Sequence, residues 1–143
     1  MKLDKELIEG KIDIIDRNIK FLAEYNNIKN NEFINTYKDV QAVKYSLFES
    51  IEACIDISSH IISVKEFQRA ESYSEMFEIL GEKNILDTKL AIKLADMAKF
   101  RNILIHGYAR IDNEKVLNYV KEDLKDIKIF VKRILEIIKE SKS

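Results

Sequence analysis

Arg101, Asn102 and His106 fall within six consecutive residues, and Tyr108 follows two positions later. Each type has a use in phosphodiester chemistry that needs no metal. An imidazole moves protons near neutral pH. A guanidinium holds a phosphate through two parallel charge-assisted hydrogen bonds and stabilises negative charge in a transition state. An amide orients either the imidazole or the substrate. On a helix, Asn102 and His106 are four apart and stack on one face. Arg101 and Tyr108 are seven apart and share a face. Arg101 and His106, five apart, lie roughly 140° around the axis and flank a groove. Two copies of the segment across a two-fold axis would gather several such groups. A plainer reading stands beside this one. An arginine and a histidine near a helix end cap carbonyls or form ion pairs, and a tyrosine there fills a core or an interface.

The rest of the chain narrows the options. The 143 residues contain two histidines and one cysteine. There is no HExxH, EF-hand loop, GxxxxGK[ST], GxGxxG or GxSxG, so zinc-protease, nucleotide-loop and serine-hydrolase chemistry find no support. No metal or other cofactor is expected. With 24 basic against 25 acidic residues, broad electrostatic capture of nucleic acid is excluded, and any such binding must be local. The lone Cys54 reads as a small core residue and suits a reducing compartment. The N-terminus lacks the apolar run of a signal peptide, and no window is apolar enough to span a membrane; a cytoplasmic protein is expected. Asp56 and His60, four apart, are expected to pair on one helix face, favouring a structural role. The Lys-rich tail, including Arg133 and Asp126, reads as a solvated face.

These groups must be positioned by helices. No proline and only three glycines interrupt a chain that is 46% apolar, so turn-rich sandwiches and barrels are excluded. An all-α bundle of about five antiparallel helices is expected over residues 1–143, as one domain. Leu7, Ile8, Ile12, Ile15, Ile19 and Leu22 mark a helix over about Leu3–Tyr25. An Asn-rich turn follows at 26–31. The second helix spans about Asn35–Ser63. After a connector at 64–71, Ser72 and Glu75 have capping-box spacing, and Gly81 is expected as the left-handed stop of a short helix. Asp87 is placed to cap a fourth helix over Thr88–His106. Leu117, Val120, Leu124, Ile127, Val131, Ile134 and Ile138 step 3-4-3-4-3-4, predicting one continuous last helix over about Glu114–Lys139.

The segment Arg101–Tyr108 resembles the RX4HXY motif of HepT toxins in the HEPN superfamily. Ile51–Ser63 resembles that family's second helix, and Ser72–Asp87 its connector and short helix. The three blocks occur in the family's order and spacing, and the resemblance covers nearly the whole chain. It implies a homodimeric all-α HEPN bundle with a metal-independent endoribonuclease site at the dimer interface. Arg101 would bind phosphate, His106 would transfer protons and Asn102 would arrange the site. It also implies a partner: MNT, a minimal nucleotidyltransferase antitoxin, which silences such toxins by transferring AMP to the motif tyrosine, here Tyr108. Two rivals remain at this level. One is a non-catalytic helical binding or scaffold subunit of a nucleotidyltransferase. The other is a helical adaptor with no link to nucleotides.

Overall fold

The computed structural model describes residues 2–107 and 111–141. Among them there are seven α-helices and no strand: α1 (Lys5–Leu22), α2 (Asn30–Ile34), α3 (Tyr37–Val64), α4 (Tyr73–Glu82), α5 (Thr88–His106), α6 (Asn113–Glu122) and α7 (Leu124–Ser141). A short 3-10 turn, Ala23–Tyr25, follows α1. No helix of the described residues is long and apolar enough to cross a membrane.

Local chemistry sets most of the helix starts. Asp4, Ser72, Asp87 and Asp112 each accept a backbone N–H of the first turn of α1, α4, α5 and α6, satisfying donors that the helix itself cannot. Packing does the rest. The 28-residue α3 runs through the middle and touches α1, α2, α4, α5 and α6. Its Val43, Leu47, Ile51, Ile57 and Ile61 are fully buried. α5 is laid across it, between α4 and α7. Phe77 of α4 and Phe130 of α7 meet edge to face at 6.1 Å in the core, the arrangement that aromatic quadrupoles favour. Cys54 is buried in this core as expected, and desolvation pushes its thiol far up.

The chain departs from the sequence expectation in four places. The predicted last helix is two helices, broken at Asp123, whose N–H closes α6 on the Tyr119 carbonyl. The apolar phase runs on through this break, so periodicity alone does not register it. A short helix, α2, begins within the Asn-rich turn, runs on to Ile34 and buries Phe33. Gly81 is no left-handed stop. α4 continues past it, and Asn84 takes the positive φ of 60°, with the Ile85 N–H returning to the Leu80 carbonyl at 2.9 Å, as helix C-terminal motifs do. Gly81 serves packing: a Cβ there would lie 2.6 Å from the Ala91 Cβ, so its absence lets α4 and α5 approach. The solvated-face reading of the tail holds for Lys125, Lys128, Lys132 and Lys139. It fails for Asp126, which is buried, and for Arg133, whose Nε donates to the Ile85 carbonyl at 2.7 Å.

Candidate active site

α5 changes character along its length. Leu90, Ala91, Leu94, Ala95, Met97 and Ala98 are buried, and they fix the helix against its neighbours. The last two turns then carry Arg101, Asn102 and His106. The helix ends where the Gly107 N–H bonds to the Ile103 carbonyl at 2.8 Å. A Cβ on Gly107 would lie 2.6 Å from that same oxygen, so a bare backbone is what permits this ending.

Arg101 turns inward. Its side chain is 13% exposed, and its Nε donates to Glu52 Oε1 of α3 at 2.5 Å. Its Nη1 donates to Asn102 Oδ1 at 3.1 Å. The guanidinium carbon lies 4.8 Å from the Tyr73 ring centroid and 5.5 Å from that of Phe48, within cation–π range of both. α3 and α4 thus hold the plane of the group, and a carboxylate holds one edge. His106 lies in the last turn of α5 and is exposed. Among the described residues its imidazole has no hydrogen-bond partner. Asn102 is also exposed. Its oxygen accepts from Arg101 and not from His106, so the amide arranges the guanidinium. Tyr108, the fourth residue of the motif, lies outside the described residues.

Beside these groups a groove of about 930 Å³ opens between α3 and the end of α5, lined in part by Tyr37, Lys44, Tyr45, Phe48, Leu104 and Ile105. Burial lowers the Lys44 ammonium below its ordinary range. Asn113, at the start of α6, also lines the groove, and its buried Oδ1 has no hydrogen-bond partner among the described residues. Tyr37 and Tyr45 are 78% and 63% exposed, and Ile103 of α5 is 50% exposed. Phe48 belongs both to the groove and to the clamp around Arg101. Among the described residues no cluster of histidine, cysteine or carboxylate side chains is placed to hold a metal ion.

Sequence reasoning brought out Arg101, Asn102 and His106 but passed over Glu52, Tyr73 and Phe48. The available signal was an acid among the apolar residues of α3. Phe48 and Glu52 are one turn apart on that helix, but nothing local says that they face Arg101, which lies two helices further along the chain. The expected Asp56–His60 pair does not form. Asp56 pairs with Lys11 of α1 at 2.9 Å, and His60 Nε2 accepts the backbone N–H of Asp4 at 2.9 Å. Both tie α1 to α3, so their role is structural.

Residues 15–134 match the family model described as "Ribonuclease HepT-like". A tRNA nuclease HepT of Aphanizomenon flos-aquae is 28% identical over 133 residues, covering 92% of this chain and 90% of that protein. An mRNA nuclease HepT of Shewanella oneidensis is 28% identical over 126 residues, covering 88% and 94%. The fold is similar to that of the tri-AMPylated Shewanella oneidensis HEPN toxin, solved in complex with its MNT antitoxin, with a TM-score of 0.85 and 27% identity over 92% of this chain and 98% of that one.

Proposed function

The chain belongs to the ribonuclease HepT-like family, and from that premise we infer that it is the toxin of a HEPN–MNT toxin–antitoxin pair, a metal-independent endoribonuclease acting as a homodimer in the cytoplasm. The observation that carries the reading is the end of α5. There, an arginine is held between a carboxylate and two rings, and five residues on, an exposed histidine has an imidazole with no hydrogen-bond partner among the described residues.

The chemistry follows from those two groups. Arg101 binds the scissile phosphate of RNA. His106 accepts the proton of the adjacent ribose 2′-hydroxyl as that oxygen bonds to phosphorus. The bond from phosphorus to the 5′ oxygen breaks, and an imidazolium returns a proton to the departing oxygen. The products are a 2′,3′-cyclic phosphate and a 5′-hydroxyl. In a homodimer two copies of His106 are available, so one imidazole acts as base while its symmetry mate acts as acid. The exposed apolar residues around the groove support such an association, because large exposed apolar patches mark protein contacts. Arg101 also gives the excess negative charge of the transition state a partner.

Silencing fits the same site. The partner is an MNT-type nucleotidyltransferase that transfers AMP to Tyr108. Phosphates added there would occupy the place of the substrate phosphate near Arg101 and repel RNA.

Purified, unmodified protein should cleave RNA in the presence of EDTA, and His106→Ala should abolish cleavage without unfolding. Cleavage that survives in His106→Ala would remove the proton-transfer role. Co-expression with the neighbouring nucleotidyltransferase should add AMP mass increments that Tyr108→Phe eliminates. Increments that persist would move the modification to another residue.

A further inference from the structure

A guanidinium has five N–H donors and two usable bidentate edges, one containing Nε and the other formed by the two terminal nitrogens. In this chain the Nε donor of the first edge is taken. Glu52 Oε1 accepts from Nε at 2.5 Å, and Asn102 Oδ1 accepts one of the Nη1 protons. The second Nη1 proton and both Nη2 protons have no acceptor among the described residues. The group cannot readily turn over to exchange edges, since Tyr73 and Phe48 both lie within cation–π range of it and its side chain is largely buried.

We propose that Glu52 is the positioning residue of the nuclease site: it occupies the Nε edge of Arg101, so that the RNA phosphate is gripped end-on by Nη1 and Nη2. The proposal rests on the nuclease reading and adds to it a residue that acts through Arg101 and touches no substrate. It also accounts for why an acid is present at all. A carboxylate beside a phosphate-binding arginine opposes the charge that attracts RNA, so its benefit must lie in geometry. With Glu52 removed, Arg101 keeps its charge and gains freedom. RNA is then held as well or better, but with the phosphorus out of line with the 2′-hydroxyl.

That split distinguishes positioning from mere structural support. In Glu52→Ala, kcat for cleavage of an RNA oligonucleotide should fall at least tenfold per folded molecule. Its affinity for the 2′-deoxy analogue, which cannot be cleaved, should stay the same or tighten. Glu52→Gln keeps an oxygen that accepts the Nε–H and should recover most of kcat. An unchanged kcat in the alanine variant overturns the proposal, as does a glutamine variant no better than alanine or a parallel loss of affinity and kcat. An arm independent of activity uses ¹⁵N NMR of the arginine side chains, with Arg101→Lys to assign the signal. Adding dimethyl phosphate to wild-type protein should shift the Arg101 Nη resonances and leave Nε–H in place, whereas Glu52→Ala should lose the protected Nε–H. A Nε–H that is indifferent to Glu52→Ala overturns the positioning role even in an active enzyme. Wild-type protein that leaves RNA intact while giving the expected NMR response overturns the nuclease reading instead.

Discussion

The two halves of α5 belong to the same helix and obey different rules. From Leu90 to Ala98 its inner face is buried and apolar, with Gly81 of α4 letting a neighbouring backbone come close. From Arg101 to His106 no residue is fully buried, a cation turns inward alongside Leu104, and Asn102, Ile103 and His106 are exposed. The first half is held by packing, which is tolerant of what lies elsewhere on the surface. The second is held by one carboxylate and two rings, and leaves its remaining polar groups unused. A helix that spends one half on the core can present the other half rigidly, which is what a site needs if groups are to be held within fractions of an ångström.

This contrast can be broken by substitution. The largest effect belongs to His106→Ala, expected to lower RNA cleavage by about 10²–10⁴-fold, the usual contribution of a general acid–base group, with an unchanged melting temperature. Loss of fold on removing this exposed side chain would erase the distinction between the halves. Leu94→Ala is the mirror image: about 2–5 kcal/mol of stability lost by the cavity mechanism, read in denaturant titration, with activity per folded molecule retained below the transition. Ile103→Asp sharpens the comparison from the surface. It should leave the folded protomer nearly as stable, since it is half exposed, but should weaken self-association by roughly tenfold or more, the penalty of setting a charge in an apolar contact. Sedimentation at a series of concentrations measures this, and an unchanged monomer–dimer balance would mean the dimer forms through another surface. The smallest effect is at the start of the helix: Asp87→Ala removes the N-cap and should cost about 1 kcal/mol, with no effect on cleavage.

A pH prediction tests the packing around the bundle more widely. Burial, then the Asp39 carboxylate that accepts its proton at 2.9 Å, raises the Tyr25 phenol from 10.0 to about 12. Burial, then nearby acids, pushes Tyr119 higher still. The neutral forms are favoured in the folded state. The stability they contribute is therefore complete below the ordinary phenol value and is lost as pH rises from about 10 through about 12. Absorbance titration near 295 nm should show Tyr25 and Tyr119 ionising late in the folded protein and at the ordinary phenol value only after unfolding.

The sequence made the helices legible because a helix records its buried face every three or four residues, and because Asp87 and Ser72 stand where first-turn donors need acceptors. It did not reveal the break at Asp123: Val120, Leu124 and Ile127 keep their phase across it. Nor did it show that Asn84, and not Gly81, would adopt the left-handed backbone, since that choice depended on α5 lying against α4. At the candidate site, Arg101, Asn102 and His106 could be singled out as candidates because they are neighbours along the chain. Glu52 and Tyr73 could not, because their relation to Arg101 exists only once three helices have come together. The misassigned Asp56 and His60 make the same point: helical spacing permitted their pairing, but Lys11 and the Asp4 N–H, brought by α1, took their places.

Phe48 has a consequence of its own. One ring forms part of the wall of the groove and also lies beneath the Arg101 guanidinium. If the proposed homodimer forms through this groove, its partner presses on the support of the cation, and assembly and chemistry share a mechanical part. Turnover per subunit should then rise with protein concentration and fall off on dilution, giving the cell a toxin whose potency climbs faster than its copy number.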